Sequence, residues 1–309
     1  MSGPITGGAF TVQRKELLAV TLSGFLGTTI EWYDFLLSGI TAALVWPTVF
    51  FPSYGLLSGL LVSISVYGLG FVARPVGAAI FGHLGDRRGR KSTLIWTLLV
   101  MGLGTLALGL TPGYATIGVL GGVLVTVFRL LQGVGFGGEW GGSSTWVMEF
   151  ASKSRWRSFW TSWVQQGAIF GLLLSNGAFF LAEISLGGVA GSAFLAWGWR
   201  IPFFANLVLI ALAIVIRQKL SETPVFNLLL ERKAPERVPS LKVWKERPGL
   251  ILKMIGAKVY VDSAFWTVTV FSGVFLSALG ISGMYTGSVV VAAAVAFFTG
   301  LLGAIFSSS

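Results

Sequence analysis

The sequence contains no cysteine, one histidine and few charges: only 11% of its 309 residues are Asp, Glu, Lys or Arg. Without cysteine there is no disulfide, no thiolate metal site and no thiol nucleophile. His83 alone leaves little for histidine-based metal or triad chemistry. A soluble domain carries about 25% charged residues, so a chain that is 54% apolar and 11% charged cannot cover itself with a water-facing surface. The same figures exclude intrinsic disorder, and the absent cysteines exclude disulfide-rich secreted folds. Acids are scarcer than bases, 12 against 22, for a net charge of +10. A nucleic-acid binder clusters such cations on a solvated face, but here they fall in short stretches between apolar runs. The expectation is an all-α polytopic membrane protein whose surroundings are a lipid bilayer and not nucleic acid.

Long apolar runs are what the sequence does have. A membrane helix takes about 20 mostly apolar residues, and eight stretches qualify: 17–46, 56–81, 93–110, 118–147, 160–182, 201–216, 250–276 and 285–305. The cations alternate between the connections. Arg14 and Lys15 precede the first run; Arg87, Arg88, Arg90 and Lys91 follow the second; Lys153, Arg155 and Arg157 follow the fourth; eight more lie in 217–249. Segments 47–55, 111–117, 183–199 and 277–284 carry none. Cytoplasmic connections collect Lys and Arg, which predicts a multi-pass cell-membrane protein with a cytoplasmic N-terminus. The first run continues through Glu31 and Asp34, far beyond a signal-peptide core, so cleavage is not expected. The expected domains are a six-helix bundle over 1–216, a proline-punctuated cytoplasmic linker over 217–249 and a two-helix part of a second bundle over 250–309.

Charge inside hydrocarbon is costly and marks function by default. At about 1.5 Å of rise per residue, Asp34 and Arg129 come to roughly 28 Å from the basic end and Arg74 and Glu139 to about 12 Å. Glu31 lies one turn below Asp34 on the same helix face. Lys258 and Asp262 stand four apart on one face of the seventh span. Three groupings are therefore expected: Glu31 and Asp34 with Arg129, Arg74 with Glu139, and Lys258 with Asp262. Each pair can simply fix helix register; the functional reading is that opposite charges exchange partners. A carboxylate released from its arginine in a dry site gains affinity for a proton. Glu31 and Asp34, tuned by Arg129, are the proton-coupling candidates. Arg74 and Lys258 are candidates to meet a substrate carboxylate, with Glu139, Asp262, Gln165 and Tyr33 in the same substrate-binding set. Gly133-Val134-Gly135-Phe136-Gly137-Gly138 has dinucleotide-loop spacing but lies inside an apolar run with no preceding strand. Its four-residue glycine spacings, 133/137, 137/141 and 138/142, are expected to let helices approach closely.

The connection Gly82-His83-Leu84-Gly85-Asp86-Arg87-Arg88-Gly89-Arg90-Lys91 resembles the signature loop of the major facilitator superfamily. Glu31-Trp32-Tyr33-Asp34-Phe35, Arg74-Pro75-Val76-Gly77, Arg129-Leu130-Leu131-Gln132-Gly133, Gly137-Gly138-Glu139-Trp140-Gly141-Gly142, Trp197 to Phe203 and Glu222 to Phe226 narrow the resemblance to the metabolite:proton symporter family. That resemblance implies a twelve-span helix bundle, alternating access, and proton-driven uptake of small carboxylates or zwitterions such as citrate, shikimate, proline or betaine. It implies no cofactor, with solute and protons as partners and an unspecified oligomeric state. It also implies a cytoplasmic gate of Gly85, Asp86, Arg87, Gly89, Arg90 and Glu149. The sequence stops at Ser309, where such relatives repeat the signature loop, so the alternative expectation is a truncated relative that does not transport. An enzyme is not expected, since no nucleophile–histidine pairing or metal-ligand cluster is visible.

Overall fold

The structure is a computed structural model that describes residues 13–223, 226–227 and 244–266, with backbone only at 56, 258 and 260–266. Two compact units divide the chain at Pro235. In the first, six long helices follow one another: α1 (Arg14–Leu44), α2 (Leu56–Arg88), α3 (Arg90–Leu110), α4 (Val119–Phe150), α5 (Arg157–Ser185) and α6 (Ile201–Lys219). In the second, α7 (Pro248–Trp266) occupies the first part of the run expected at 250–276. The remainder of that run and the whole of 285–305 lie outside the described residues.

Among the described residues, five helices are long and apolar enough to cross a membrane: those within Leu57–Arg88, Arg90–Leu110, Val119–Phe150, Arg157–Ser185 and Gly198–Lys219. At 31 residues α1 is long enough as well, roughly 46 Å, but its middle carries Thr28, Thr29, Glu31 and Asp34. It tolerates them because that face is buried against the other helices, with Thr28 and Asp34 fully inaccessible. α1 packs against α5, α4, α6 and α2, so its polar groups meet protein and not lipid. Exposed apolar side chains, among them Leu57, Leu61, Val72, Leu103, Val119 and Val208, lie on α2, α3, α4 and α6, as a surface in contact with lipid requires.

Two apolar clusters seal the bundle lengthwise. Leu17, Val20, Leu94, Trp146, Val147, Phe150 and Val164 pack at the end that holds Arg14 and the α2–α3 and α4–α5 turns. Tyr33, Leu37, Trp46, Phe50, Phe179, Phe194, Trp199 and Phe203 pack toward the other. Polar side chains occupy the layer between.

Glycine sets the closest approaches. A Cβ on Gly133 would meet the Gly70 carbonyl, and one on Gly137 the Arg74 carbonyl, so α2 and α4 touch backbone to backbone. The expected 133/137 pair is thus at a helix contact, whereas Gly141 has open space around it. Gly167 and Gly171 do the same for α5 on α1.

Two boundaries differ from the expectation. The stretch 82–91 is not an extended loop: α2 runs on to Arg88, Gly89 turns the chain at φ 97°, and α3 starts at Arg90. A left-handed φ at one glycine suffices for the reversal. At the other boundary α6 continues through Lys219, so Arg217 belongs to the bundle and not to the linker.

Candidate functional site

Three polar stations follow one another along α1. The lowest is a sealed ion pair. Arg217 of α6 pairs with Glu139 of α4, with both side chains at most 1% exposed. Its Nη1 donates to Glu139 Oε2 at 2.9 Å and to the Leu94 carbonyl at 2.7 Å, and its Nη2 donates to Glu139 Oε1. Thr97 and Ser143 donate to the two carboxylate oxygens at 2.7 and 2.9 Å. Gly27 of α1 lies against the pair, with no room for a Cβ. A buried carboxylate with four donors and a matched cation is a satisfied structural element.

One turn up, Glu31 faces Arg74 of α2, with Nη2 3.7 Å from Oε1. Arg74 lies over three rings, 4.6 Å from the centroid of Phe35, 5.3 Å from Phe71 and 5.2 Å from Phe136. Flat contact of this kind holds a guanidinium by its face. Glu31 is 2% exposed, but the Arg74 side chain is 26% exposed.

The third station centres on Asp34, which is fully buried. Its Oδ2 accepts from Thr105 Oγ at 2.9 Å and from Gln132 Nε2 at 2.8 Å. Arg129, also fully buried, donates to Gln132 Oε1 at 3.2 Å and to the Tyr67 carbonyl at 3.3 Å. It sits over Tyr67, Phe35 and Phe136 at 4.7, 5.2 and 5.6 Å. Gln132 therefore bridges the carboxylate and the guanidinium, its amide nitrogen serving one and its oxygen the other.

The expected groupings are rearranged. Arg74 pairs with Glu31 and not with Glu139, because equal depth on two helices does not mean facing sides. Glu139 takes Arg217, which had been counted among the linker cations. Arg129 reaches Asp34 through Gln132. Two residues of the substrate-binding set are turned inward: Glu139 is sealed in its pair, and Tyr33 is 2% exposed with its hydroxyl donating to the Pro202 carbonyl at 2.9 Å. Gln165 is exposed and accepts from Trp140 Nε1 at 2.8 Å. Lys258 and Asp262 lie on α7, and their side chains are outside the described residues.

The basic end carries a separate cluster. Arg90 pairs with Asp86 at 2.7 Å and with Glu149 at 3.5 Å. Gly85 lies within α2 against Arg90, while Arg87 is exposed. Glu222 accepts from the Arg90 and Lys91 backbone N–H groups at 2.9 and 3.1 Å. Lys91 Nζ donates to the Gln218 carbonyl at 2.8 Å. Sequence reasoning missed Gln132, Thr105, Thr97, Arg217 and Glu222 as partners. Gln132 is three residues from Arg129, a spacing that shares a helix face and was the one available signal. Among the described residues no group of three or more His, Asp and Glu could hold a metal ion.

The profile of the sugar (and other) transporter family matches residues 20–306. The chain is 39% identical over 267 residues to the shikimate transporter of Escherichia coli K12, covering 86% of this chain and 60% of that protein. It is 38% identical over 273 residues to the inner membrane metabolite transport protein YhjE of the same organism, covering 88% and 60%. With the proline/betaine transporter of Salmonella typhimurium LT2 it shares 37% identity over 226 residues, or 72% of this chain and 44% of that one. The chain thus spans about 60% of the length of the first two. Among solved structures, the D-xylose–proton symporter superposes with a TM-score of 0.62 at 20% identity, over 94% of this chain and 67% of the other. The partially occluded inward-open xylose transporter XylE of Escherichia coli gives 0.61 at 19% identity, over 94% and 71%.

Proposed function

The chain belongs to the sugar (and other) transporter family and has the major facilitator fold, and from that premise we propose that it carries a small organic solute together with protons. It is a multi-pass membrane protein of a transporter family, not an enzyme. The solute is a carboxylate or zwitterion, moved by alternating access, and the N-terminus lies in the cytoplasm with the basic end of the bundle. Relatives named for shikimate and for proline and betaine, and a structural neighbour named as a proton symporter, support this reading.

The observation that carries it is Asp34, a fully buried carboxylate held by two neutral donors, with a fully buried arginine one amide away. Such a group is expensive to maintain in an apolar bundle. In this reading Asp34 and Glu31 handle the proton, and Arg129 tunes Asp34 through Gln132. The solute meets Arg74 and Gln165 beside Trp140. The Asp86–Arg90–Glu149 cluster, with Gly85, Arg87 and Gly89 around it, forms the cytoplasmic gate.

The test is uptake into proteoliposomes from a panel of labelled organic acids, proline and glycine betaine, with and without an inward proton gradient. Gradient-dependent accumulation of at least one is expected, and it should fall by about tenfold or more in D34N and in R129Q, since each removes a buried charge of the proton site. Accumulation untouched in both variants refutes the assignment.

A further inference from the structure

One buried cation lies apart from the three stations. Arg200, at the start of α6, is 7% exposed and stands at the end of the bundle away from the basic turns. Its Nη1 donates to the Ala196 carbonyl at 2.6 Å and its Nη2 to the Thr111 carbonyl at 2.9 Å, and the guanidinium lies 4.4 Å from the centroid of the Trp199 ring. These neighbours orient it but carry no net charge. Among the described residues no carboxylate pairs with Arg200, and its remaining N–H groups have no partner. Segments 47–55 and 111–117 hold no acid, and 183–199 holds only Glu183. A buried charge is costly unless it is paired. Arg217 and Arg74 meet that requirement with acids of the chain, and Arg200 does not. It lines a cleft of about 770 Å³ together with Thr48, Leu110, Tyr114, Thr116 and Trp197. The hydroxyls of Thr48, Tyr114 and Thr116 have no partner among the described residues. The N-terminus of α6 follows Arg200 directly, without a side-chain cap or an acid in its first turn, and so adds the positive end of a helix dipole.

We propose that this cleft holds the phosphate of an anionic phospholipid from the leaflet at that end, with Arg200 as its counter-ion and the acyl chains laid along α3 and α6. The free N–H groups of a guanidinium suit phosphate oxygens, and the three hydroxyls are donors for the phosphate and the ester groups. What selects a lipid over a free anion is the surface below. α3 ends at the cleft, α6 begins there, and the two helices pack together. Leu110 and Leu103 on α3, and Ile201 and Val208 on α6, are all exposed. Each pair stands seven residues apart, which keeps it on one helix face. No Asp, Glu, Lys or Arg occurs from 92 to 128 or from 201 to 216, so the strip is apolar throughout. A free anion gains nothing from such a strip, whereas acyl chains do. Trp197, 57% exposed, and Tyr114 stand at the cleft as the aromatic residues of a membrane–water boundary do. The inference concerns a resident lipid and is independent of the carrier reading above.

The purified 309-residue chain in detergent is titrated with phosphatidylglycerol brominated near the ester end of its acyl chains, and separately with phosphatidylcholine brominated in the same way. Bromine quenches nearby tryptophan, and the part of the quenching that is lost in W197F reports the cleft, apart from any lipid bound at the basic end. That part is expected to saturate at a phosphatidylglycerol concentration at least tenfold below the one needed with phosphatidylcholine. R200Q, which removes the charge, should raise that concentration about tenfold, the effect of losing one hydrogen bond to a charged group. T116E, at an exposed cleft position, gives Arg200 an acid of the chain and should raise it by a similar factor. S53E adds an acid at the same end outside the cleft and should leave it unchanged. If R200Q does not fold, T116E against S53E decides. Equal affinity for the two lipids, an unchanged titration in T116E, or no quenching at Trp197 overturns the proposal. Displacement of the lipid by a tenfold excess of inorganic phosphate would show a free-anion site and overturn the lipid assignment.

Discussion

Replacing Arg217 by Met isolates the contribution of the sealed pair. The guanidinium is fully buried and supplies four donor contacts, two to Glu139, one to the Leu94 carbonyl and a longer one to Ser143 Oγ. Met fills much of the volume but leaves the Glu139 carboxylate with only Thr97 and Ser143 as donors. Removing one partner of a buried pair costs about 3–5 kcal/mol. For a unit of this size that corresponds to a fall of about 6–20 °C in Tm, at about 2–4 °C per kcal/mol. E139Q alone leaves the arginine uncompensated and should cost a similar amount. The double variant R217M/E139Q removes both charges, and a neutral replacement of a buried pair is often tolerated; it should recover at least half of either loss. The assay is thermal unfolding in detergent, followed by tryptophan fluorescence for the four corners of the cycle. Strict additivity, with the double variant losing the sum of the single losses, would refute the claim that the two residues form one electrostatic unit. So would an R217M protein within about 1 kcal/mol of wild type, a loss too small for a buried pair.

Two further substitutions test the packing and the basic end. G137V places a branched side chain where α4 meets the Arg74 carbonyl of α2; overpacking there should cost about 1–3 kcal/mol, read as a lower unfolding temperature in detergent, while G141A, in open space, should be silent. E222A removes the acceptor for the first two N–H groups of α3, a loss of about 0.5–2 kcal/mol by the measure of other helix caps; amide hydrogen exchange at residues 90 and 91 should accelerate, and E222Q should retain part of the protection.

The architecture was legible because the bilayer imposes a coarse rule that composition obeys. Apolar runs of the right length, separated by alternately basic and cation-free connections, located the six bundle helices to within three residues at every end but that of α2, which runs seven residues further. α1 was found despite Glu31 and Asp34, since its flanks are apolar enough to frame them. The partners of the charges were not legible, for a geometric reason. Depth along a helix axis follows from residue count, but which side of the helix a residue faces depends on how the helices are rotated. Arg74 and Glu139 do lie at similar depth, yet one faces α1 and the other α6. Arg217 was misplaced for a related reason: it reads as the first cation of a polar segment, although α6 has not yet ended there. An arginine at a helix end can reach back into the bundle, and its burial against Glu139 and the Leu94 carbonyl shows that it does so. Gln132 was overlooked because a neutral amide in an apolar run carries no charge signal, although it is the group that connects Asp34 to Arg129. Charge thus points to where the bundle keeps its polar stations, while the uncharged donors between the charges determine how the members of a station are connected.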